Sequence, residues 1–451
     1  MTTLAERFQD AARALEALDV PGHTAAYAFE SGIPRARLML ERLGGGSRIV
    51  KRCVLVTGSK GKGSTVMLIA NALAAAGYRV GAYTGPHLIS PTERFRLADA
   101  RGALADMPPE VFIDYARACC EIAAAWDRPE LGHPTRFEAY TAMAYHWFER
   151  EHADIGVMEI GIGGRLDAVN LADPLVSVIV NVSLEHTAAL GDTVTAIATE
   201  KAGILRADGI GISAAQSEEG ERALCAAAAA IGAPLRFAEA RWHCTPGEVF
   251  IAPGETRQTF TARPWRTPLA IPLLGAYQLQ NAAAALAALE ALKQKGFTRL
   301  SARAIRAGFA RARWPARFEV LHHEPLVIAD GAHTPYSMEQ LGQSLRAYFP
   351  HRRLHVVVGM LRDKDGLNML RALAGFADSV TLTEPAYHRA TPLDRLREMW
   401  AQVAGERLAS AQLPPVDAIR TAISSAAVDD VVVVTGSLHL ATEAARALAT
   451  A

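Results

Sequence analysis

From Val54 to Thr65 the chain reads Val-Leu-Val-Thr-Gly-Ser-Lys-Gly-Lys-Gly-Ser-Thr, an apolar run that breaks into glycine, lysine and serine. Cys53–Thr57 has the composition of a buried strand, and Ser64–Ala76, closed by Gly77, that of an apolar helix. Between them Gly58, Gly61 and Gly63 let the backbone turn with its N–H groups inward, and the positive end of the helix adds to the potential there. Such a turn can hold phosphates. Lys62 would reach the outer phosphates and the Ser64 hydroxyl could ligate Mg2+. The spacing departs from G-x-x-x-x-G-K-[ST], because Val56 stands at the first glycine and Gly63 separates Lys62 from Ser64. The residue types still read as a nucleotide site built by Gly58, Ser59, Lys60, Gly61, Lys62, Gly63, Ser64 and Thr65.

Other strand ends also present polar groups. Val157–Asn170 begins as an apolar strand and ends in a glycine-rich turn, with Glu159 where an unpaired carboxylate would be costly. Its partner is either a metal ion beside bound phosphates or Arg165; Asp167 is a candidate helix cap. Asn181–Thr187 follows the same plan, with His186 either a metal ligand or a structural histidine. Lys201 sits in an apolar setting and could pair with Glu200 or another nearby carboxylate. In the C-terminal half, Ile328–Pro335 carries Asp330 and His333 at a strand end, where open α/β sheets collect ligands, and Val433–His439 has a similar form.

The elements that must position these groups alternate between strand-like and helical patterns, which implies mainly parallel sheets covered by helices, an α/β fold. The strands are expected at Cys53–Thr57, Arg79–Tyr83, Ile155–Ile160, Val176–Val182, Gly209–Ser213, Leu326–Ala329, Leu354–Val358, Ser379–Thr383 and Asp430–Thr435. Residues 236–265 alternate and carry Pro-Gly turns, which predicts an antiparallel meander at one sheet edge. Gln280–Leu292 reads as an Ala/Leu-rich helix, with the domain boundary following near Gly296–Thr298, and Ser301–Arg313 as a helix capped by Ser301. The 451 residues suit two domains or three, with 50% apolar content for their cores. Lys+Arg and Asp+Glu each total 47, which gives no electrostatic case for a nucleic-acid or membrane partner. Of the six arginines between Arg299 and Arg317, five read as a solvated helix face. The five cysteines lack metal spacing, and Cys119-Cys120 reads as a reduced, buried pair. The charged N-terminus is not a signal peptide and no apolar run reaches about 18 residues, so a cytoplasmic location is expected.

Taken in order, these motifs resemble those of the Mur ligase superfamily, and most closely the folylpolyglutamate synthase/dihydrofolate synthase family. The resemblance spans nearly the whole chain: Leu40–Gly44, G-S-K-G-K-G-S (58–64), Y-T-G-P-H-L (83–88), E-R-F-R (93–96), P-T-R-F-E (134–138), E-I-G-I-G-G-R-L-D-A-V-N (159–170) and E-H-T (185–187). It continues through E-K-A-G-I (200–204), L-L-G-A-Y-Q-L-Q-N-A (273–282), W-P-A-R-F-E (314–319), D-G-A-H (330–333), D-K-D (363–365) and T-G-S-L (435–438). It implies a P-loop ATP-binding domain of the Mur ligase central type over residues 1–297 and a Rossmann-like glutamate ligase domain over 298–451, facing each other across a nucleotide. The UDP-binding domain of the cell-wall enzymes is not expected ahead of the phosphate loop.

The resemblance further implies ATP-dependent amide formation: a pteroate or folate carboxylate is phosphorylated to an acyl phosphate, which L-glutamate then attacks. Lys62, Glu159, His186 and Lys201 take the catalytic roles. Two Mg2+ ions are implied, held by Ser64, Glu159, His186 and Lys201, the lysine as its carbamate. Asn281, Arg317 and Asp330 join the loop residues around the nucleotide, and Asp330, His333, Ser437 and His439 lie around the amino acid. The partners implied are these small molecules alone, with a monomeric chain. Departures from the family pattern are Gly85 for a metal-site Ser, Lys60 for Asn, Tyr277 for His, Glu185 for Asp, Thr334 for Asn and His439 for Tyr. They leave two other readings beside the first: a paralogue joining an amino acid to a non-folate acid, and a nucleotide-binding protein without ligase activity.

Overall fold

Eight strands make the first sheet, and the burial of its central strands follows from their apolar sequences. The computed structural model describes residues 2–19, 31–265, 267–405 and 409–449. In it β1 (Cys53–Thr57), β2 (Val80–Tyr83), β3 (Phe95–Ala98), β4 (Leu104–Asp106), β5 (Ile155–Glu159), β6 (Val176–Ile179), β7 (Ile210–Ser213) and β8 (Leu235–Phe237) lie in the order β4-β3-β2-β5-β1-β6-β7-β8. From β2 to β8 neighbours are parallel, whereas β3 and β4 add an antiparallel edge that the sequence pattern does not reveal. β1 and β5 are buried along their whole length, as expected of central strands covered on both faces. Register sets Val56 beside Glu159 and Thr57 beside Ile179, so the ends of β5 and β6 flank the phosphate loop.

β9 (Cys244–Ala252), β10 (Glu255–Ala262) and β11 (Leu269–Ile271) form a three-stranded sheet of their own. This corrects the expected edge meander: residues 235–237 alone join the large sheet, as β8, and the strands that follow pair among themselves. A third sheet contains β12 (Glu319–His323), β13 (Leu326–Ala329), β14 (Leu354–Val358), β15 (Ser379–Leu382), β16 (Ser410–Ala411) and β17 (Val431–Thr435), ordered β12-β13-β17-β14-β15-β16. Only β12 runs antiparallel to its neighbour.

The chain divides into two compact units: residues 1–245, 261–269 and 279–312, and residues 246–260, 270–278 and 313–451. The break at 297/298 expected from sequence therefore moves. The helix Ala302–Arg311 belongs to the first unit because it packs on Lys62–Ala75, with Gly308 so close to Ala72 that a Cβ at Gly308 would lie 2.4 Å from the Ala72 Cα. Ser301 caps this helix as expected, its hydroxyl accepting from Ala304 N–H. Arg299, Arg303, Arg306, Arg311 and Arg313 are exposed and Arg317 is half-buried. Cys119 is buried but Cys120 only partly, and both are free thiols. Among the described residues no helix is long and apolar enough to cross a membrane.

Candidate functional site

The phosphate loop leaves β1 at Thr57 and enters the helix Lys62–Ala75, which begins two residues before the expected Ser64. Two glycines make the turn possible. Gly58 and Gly61 have φ of 147° and 92°, and Cβ atoms there would come within 2.3 Å of Val180 Cγ2 and 2.1 Å of Asn281 Oδ1. Gly63 bends nothing, since it lies in the first helical turn. The loop is clamped to the chain beyond β6: Ser59 N–H donates to Asn181 O (2.6 Å), and the Ser59 hydroxyl donates to Ser183 O and accepts from Ser183 N–H (both 2.9 Å). Lys60 bridges to Asn181, and Lys62 Nζ donates to Gly58 O at 2.8 Å, folding back over the turn. Ser64 and Thr65 are buried at the helix start, and Thr65 Oγ1 has no hydrogen-bond partner there. A buried hydroxyl at a helix N-terminus beside a glycine turn is suited to an anion.

Glu159 ends β5 with its side chain buried, and its Oε2 accepts the Gly85 N–H at 3.0 Å. Arg165, the alternative partner, instead pairs with Glu200 at 2.7 Å. The glycine-rich turn after Glu159 is organised by Asp167, whose carboxylate accepts N–H groups of Gly161, Ile162 and Val169 and which caps the short helix Ala168–Leu171. Burial pushes the Asp167 pKa up to about 6, against those donors and Lys62. Thr57 donates to Gly163 O at 2.5 Å, tying this turn to the end of β1.

Lys201 is 1% exposed and pairs with Glu185 at 2.9 Å rather than with Glu200. Burial brings the Lys201 pKa down to about 8; Glu185 opposes this and Lys62 adds to it. Burial also raises the Glu185 carboxyl, yet Lys62, Lys201 and Lys60 outweigh it and its pKa ends below the usual carboxylate value. Lys60 Nζ lies 3.9 Å from the other Glu185 oxygen. Lys60, Lys62, Lys201, Glu185 and Asp167 thus share one electrostatic neighbourhood at the carboxyl ends of the parallel strands. His186 is placed differently: it is exposed, in the left-handed region at φ 47°, ahead of Thr187–Leu190. Among the described residues no three His, Cys, Asp or Glu side chains gather as a preformed metal cage. The hard oxygen donors of Glu159 and Ser64 suit Mg2+ only if phosphate oxygens complete the set. Asn281, on the helix Tyr277–Gln294, lies buried against Gly61.

In the second unit Asp330 follows β13 and is buried, accepting Phe318 N–H and Ala332 N–H, both at 2.8 Å. Burial raises its pKa, opposed by Arg317 and these donors. Arg317 lies between Ala316 and Phe318, two non-glycine residues at φ 56° and 49°, and donates to Ala316 O at 2.9 Å. Strain of this kind persists where the surroundings hold a functional side chain in place. His333 Nδ1 lies 2.7 Å from Gly331 O. A Cβ at Gly331 would meet Leu438 at 2.3 Å and Arg317 Nη1 at 2.7 Å, so the Asp330 and Ser437 loops touch. The Ser437 hydroxyl accepts Leu440 N–H, and His439 stacks on Tyr387 with centroids 3.8 Å apart. Sequence reading missed Glu185 as the partner of Lys201 and Tyr387 as that of His439. Glu185 is signalled by its place in E-H-T, but nothing local marks Tyr387.

A phosphate loop with an acidic strand end and a buried lysine, followed by a second parallel-sheet unit with polar strand ends, defines a Mur ligase. The Mur ligase middle domain matches residues 131–289 and the Mur ligase glutamate ligase domain residues 316–438. The dihydrofolate synthase/folylpolyglutamate synthase of Bacillus subtilis (strain 168) is 31% identical over 416 residues, 92% of this chain and 94% of that protein. Among solved structures, Escherichia coli FolC in complex with DHPP and ADP is 29% identical with a TM-score of 0.82, covering 100% of this chain and 99% of that one. The bifunctional folylpolyglutamate synthase/dihydrofolate synthase of Yersinia pestis complexed with AMPPNP and Mn ion is 28% identical, with a TM-score of 0.79 over 100% of both chains. The chain belongs to the folylpolyglutamate synthase/dihydrofolate synthase family.

Proposed function

We propose that this protein is an ATP-dependent ligase that joins L-glutamate to the carboxylate of a pteroate or folate acceptor through an acyl phosphate. The observation that carries the reading is the convergence of the phosphate loop, Glu159 and the Lys201–Glu185 pair at one end of one sheet. Relatives solved with ADP, with DHPP and with AMPPNP and Mn ion support it.

A carboxylate oxygen of the acceptor attacks the γ-phosphorus, the bond to the β-phosphate oxygen breaks, and ADP leaves. Lys62 and the loop N–H groups stabilise the charge on the transferring phosphoryl group, where prepositioned donors contribute most. The glutamate amine then attacks the acyl carbon, expels inorganic phosphate and loses a proton as the amide forms. A divalent cation held by Ser64 and Glu159 would offset phosphate charge. A second ion near His186 and a carbamylated Lys201 is part of the proposal. With the Lys201 pKa brought down to about 8, a neutral amine is available to take up CO2 near neutral pH. In the second unit Asp330 and Arg317 serve the nucleotide, and Asp330, His333, Ser437 and His439 the incoming amino acid. The protein acts as a cytoplasmic monomer on small molecules.

The test is an ADP-release assay over dihydropteroate, tetrahydrofolate and unrelated acids, each with and without L-glutamate. ADP should appear only when a pteroate or folate acceptor and glutamate are both present. Release supported by another acid and not by these would establish the non-folate reading. Tight ATP binding without turnover on any acid would establish a protein without ligase activity.

A further inference from the structure

Arg94 ends the 3-10 turn Pro91–Arg94 and precedes β3, with its side chain held from two sides and its backbone from a third. Its Nε donates to His87 Nδ1 at 2.9 Å, its guanidinium lies 5.1 Å from the Tyr140 ring centroid, and its backbone carbonyl accepts Thr84 N–H at 3.0 Å. The loop that carries His87 is itself fixed, because the Glu93 carboxylate accepts the N–H groups of Leu88, Ile89 and Ser90 at 2.8–2.9 Å. The neighbouring Arg96 closes on Asp106 at 2.8 Å. Arg94, half-buried and prepositioned, has no carboxylate within ion-pair range among the described residues. A prepositioned guanidinium with no ion-pair partner among the described residues is suited to bind an anion.

Its location tells which anion. In the order β3-β2-β5-β1, the phosphate loop follows β1, Glu159 ends β5, and Gly85 lies just beyond β2. Parallel strands stand roughly 5 Å apart, so the guanidinium is about two strand spacings from the loop that cradles phosphates, on the far side of Glu159. A Cβ on Gly85 would lie 2.7 Å from Arg94 Nη1, so the guanidinium tip stands directly against position 85, where glycine offers no side chain. The group that must meet a γ-phosphate across Glu159 is the acid that receives it. The geometry points to Arg94 as the residue that binds the carboxylate of the acid substrate and holds it for phosphorylation, with Gly85 making room. This rests on the ligase reading above.

The experiment uses the full-length protein with dihydropteroate, its carboxyl methyl ester, ATP and L-glutamate. In Arg94→Ala the KM for dihydropteroate should rise about 10- to 100-fold, the scale of a lost charge-assisted pair. The KM values for ATP and glutamate should stay within about twofold. The wild type should bind the free acid more tightly than the ester, and Arg94→Ala should bind both alike, which a merely structural role would not produce. Arg94→Lys should restore part of the preference. Gly85→Ala, which drives a methyl group into the guanidinium, should copy the KM effect, and it keeps the proposal testable if Arg94→Ala folds poorly. An unchanged acid KM with the ester preference intact overturns the assignment while leaving the ligase reading standing. A rise confined to ATP or to glutamate overturns it in favour of a phosphate or amino-acid contact. A wild type that turns over no acid overturns both.

Discussion

Lys201 is held where water scarcely reaches it, and among the described residues Glu185 is the carboxylate in ion-pair range. Burying a charge costs more than a single pair returns unless the geometry is good, which is why its pKa falls to about 8. Neutral amine is then far more populated near pH 7 than for an ordinary lysine. Only the neutral form takes up CO2. Activity lost on CO2 depletion should therefore return more fully on adding bicarbonate at pH 8.5 than at pH 6.5, and 13C-bicarbonate should give a carbamate NMR signal absent from Lys201→Ala. Equal recovery at both pH values, or no such signal, would remove the carbamate from the proposal. Lys62 folds back onto Gly58 O. Lys62→Ala should lower turnover by roughly 10²–10³-fold, the usual scale for one transition-state charge contact, and near-normal turnover would refute its role.

Among the elements, parallel strands must be held at both ends if their carboxyl ends are to present chemistry. In the second unit the far ends are fastened by His355, the second residue of β14. Its Nε2 donates to Asp430 just before β17 (2.9 Å), and its Nδ1 hydrogen-bonds with the Ser379 hydroxyl at the start of β15 (2.7 Å). Asp430 also accepts Ala427 N–H at 2.9 Å. His355→Ala should lower stability by about 1–3 kcal/mol, because it leaves Ser379 and Asp430 unpaired. Chemical denaturation checks this, and kcat should not change. An unaffected midpoint would mean the three ends need no fastening. In the first unit the corresponding work falls to the clamp between Ser59 and residues 181–183, which holds the phosphate loop itself.

At the scale of the molecule the two units do not follow one cut in the sequence. Residues 246–260 and 270–278 group with 313–451, and Leu274, fully buried, lies in the core of that second unit with Phe318, Ile328, Val356 and Val433. The Tyr348 hydroxyl ties the same segments together, accepting Gly275 N–H (3.0 Å) and donating to Gln258 (3.2 Å). Leu274→Ala should cost about 2–5 kcal/mol through the cavity it leaves. Amide exchange should quicken in β12–β17 while β1 and β5–β7 keep their protection. Faster exchange spread over the first sheet instead would contradict the division into units.

Local chemistry determined much of this protein without tertiary help. Continuous Val/Ile runs are strands wherever both faces are covered, and a glycine-lysine-serine turn between strand and helix reads as a phosphate loop because glycine allows the backbone turn and lysine supplies the charge. Those two facts located the α/β architecture, the loop and the strand-end polar residues Glu159 and Asp330, while Lys201 lies on the helix Val194–Ala202. The antiparallel strands β3 and β4 stayed hidden because strands of four and three residues have little hydrophobic pattern to read. Partner choice was decided only by the fold: Lys201 with Glu185 and not Glu200, Glu159 with Gly85 N–H and not Arg165, His439 with Tyr387, and the grouping of 302–311 with the first unit. Each joins residues far apart in sequence or picks among several within reach. A pairing energy depends on distance and burial, and a linear sequence specifies neither.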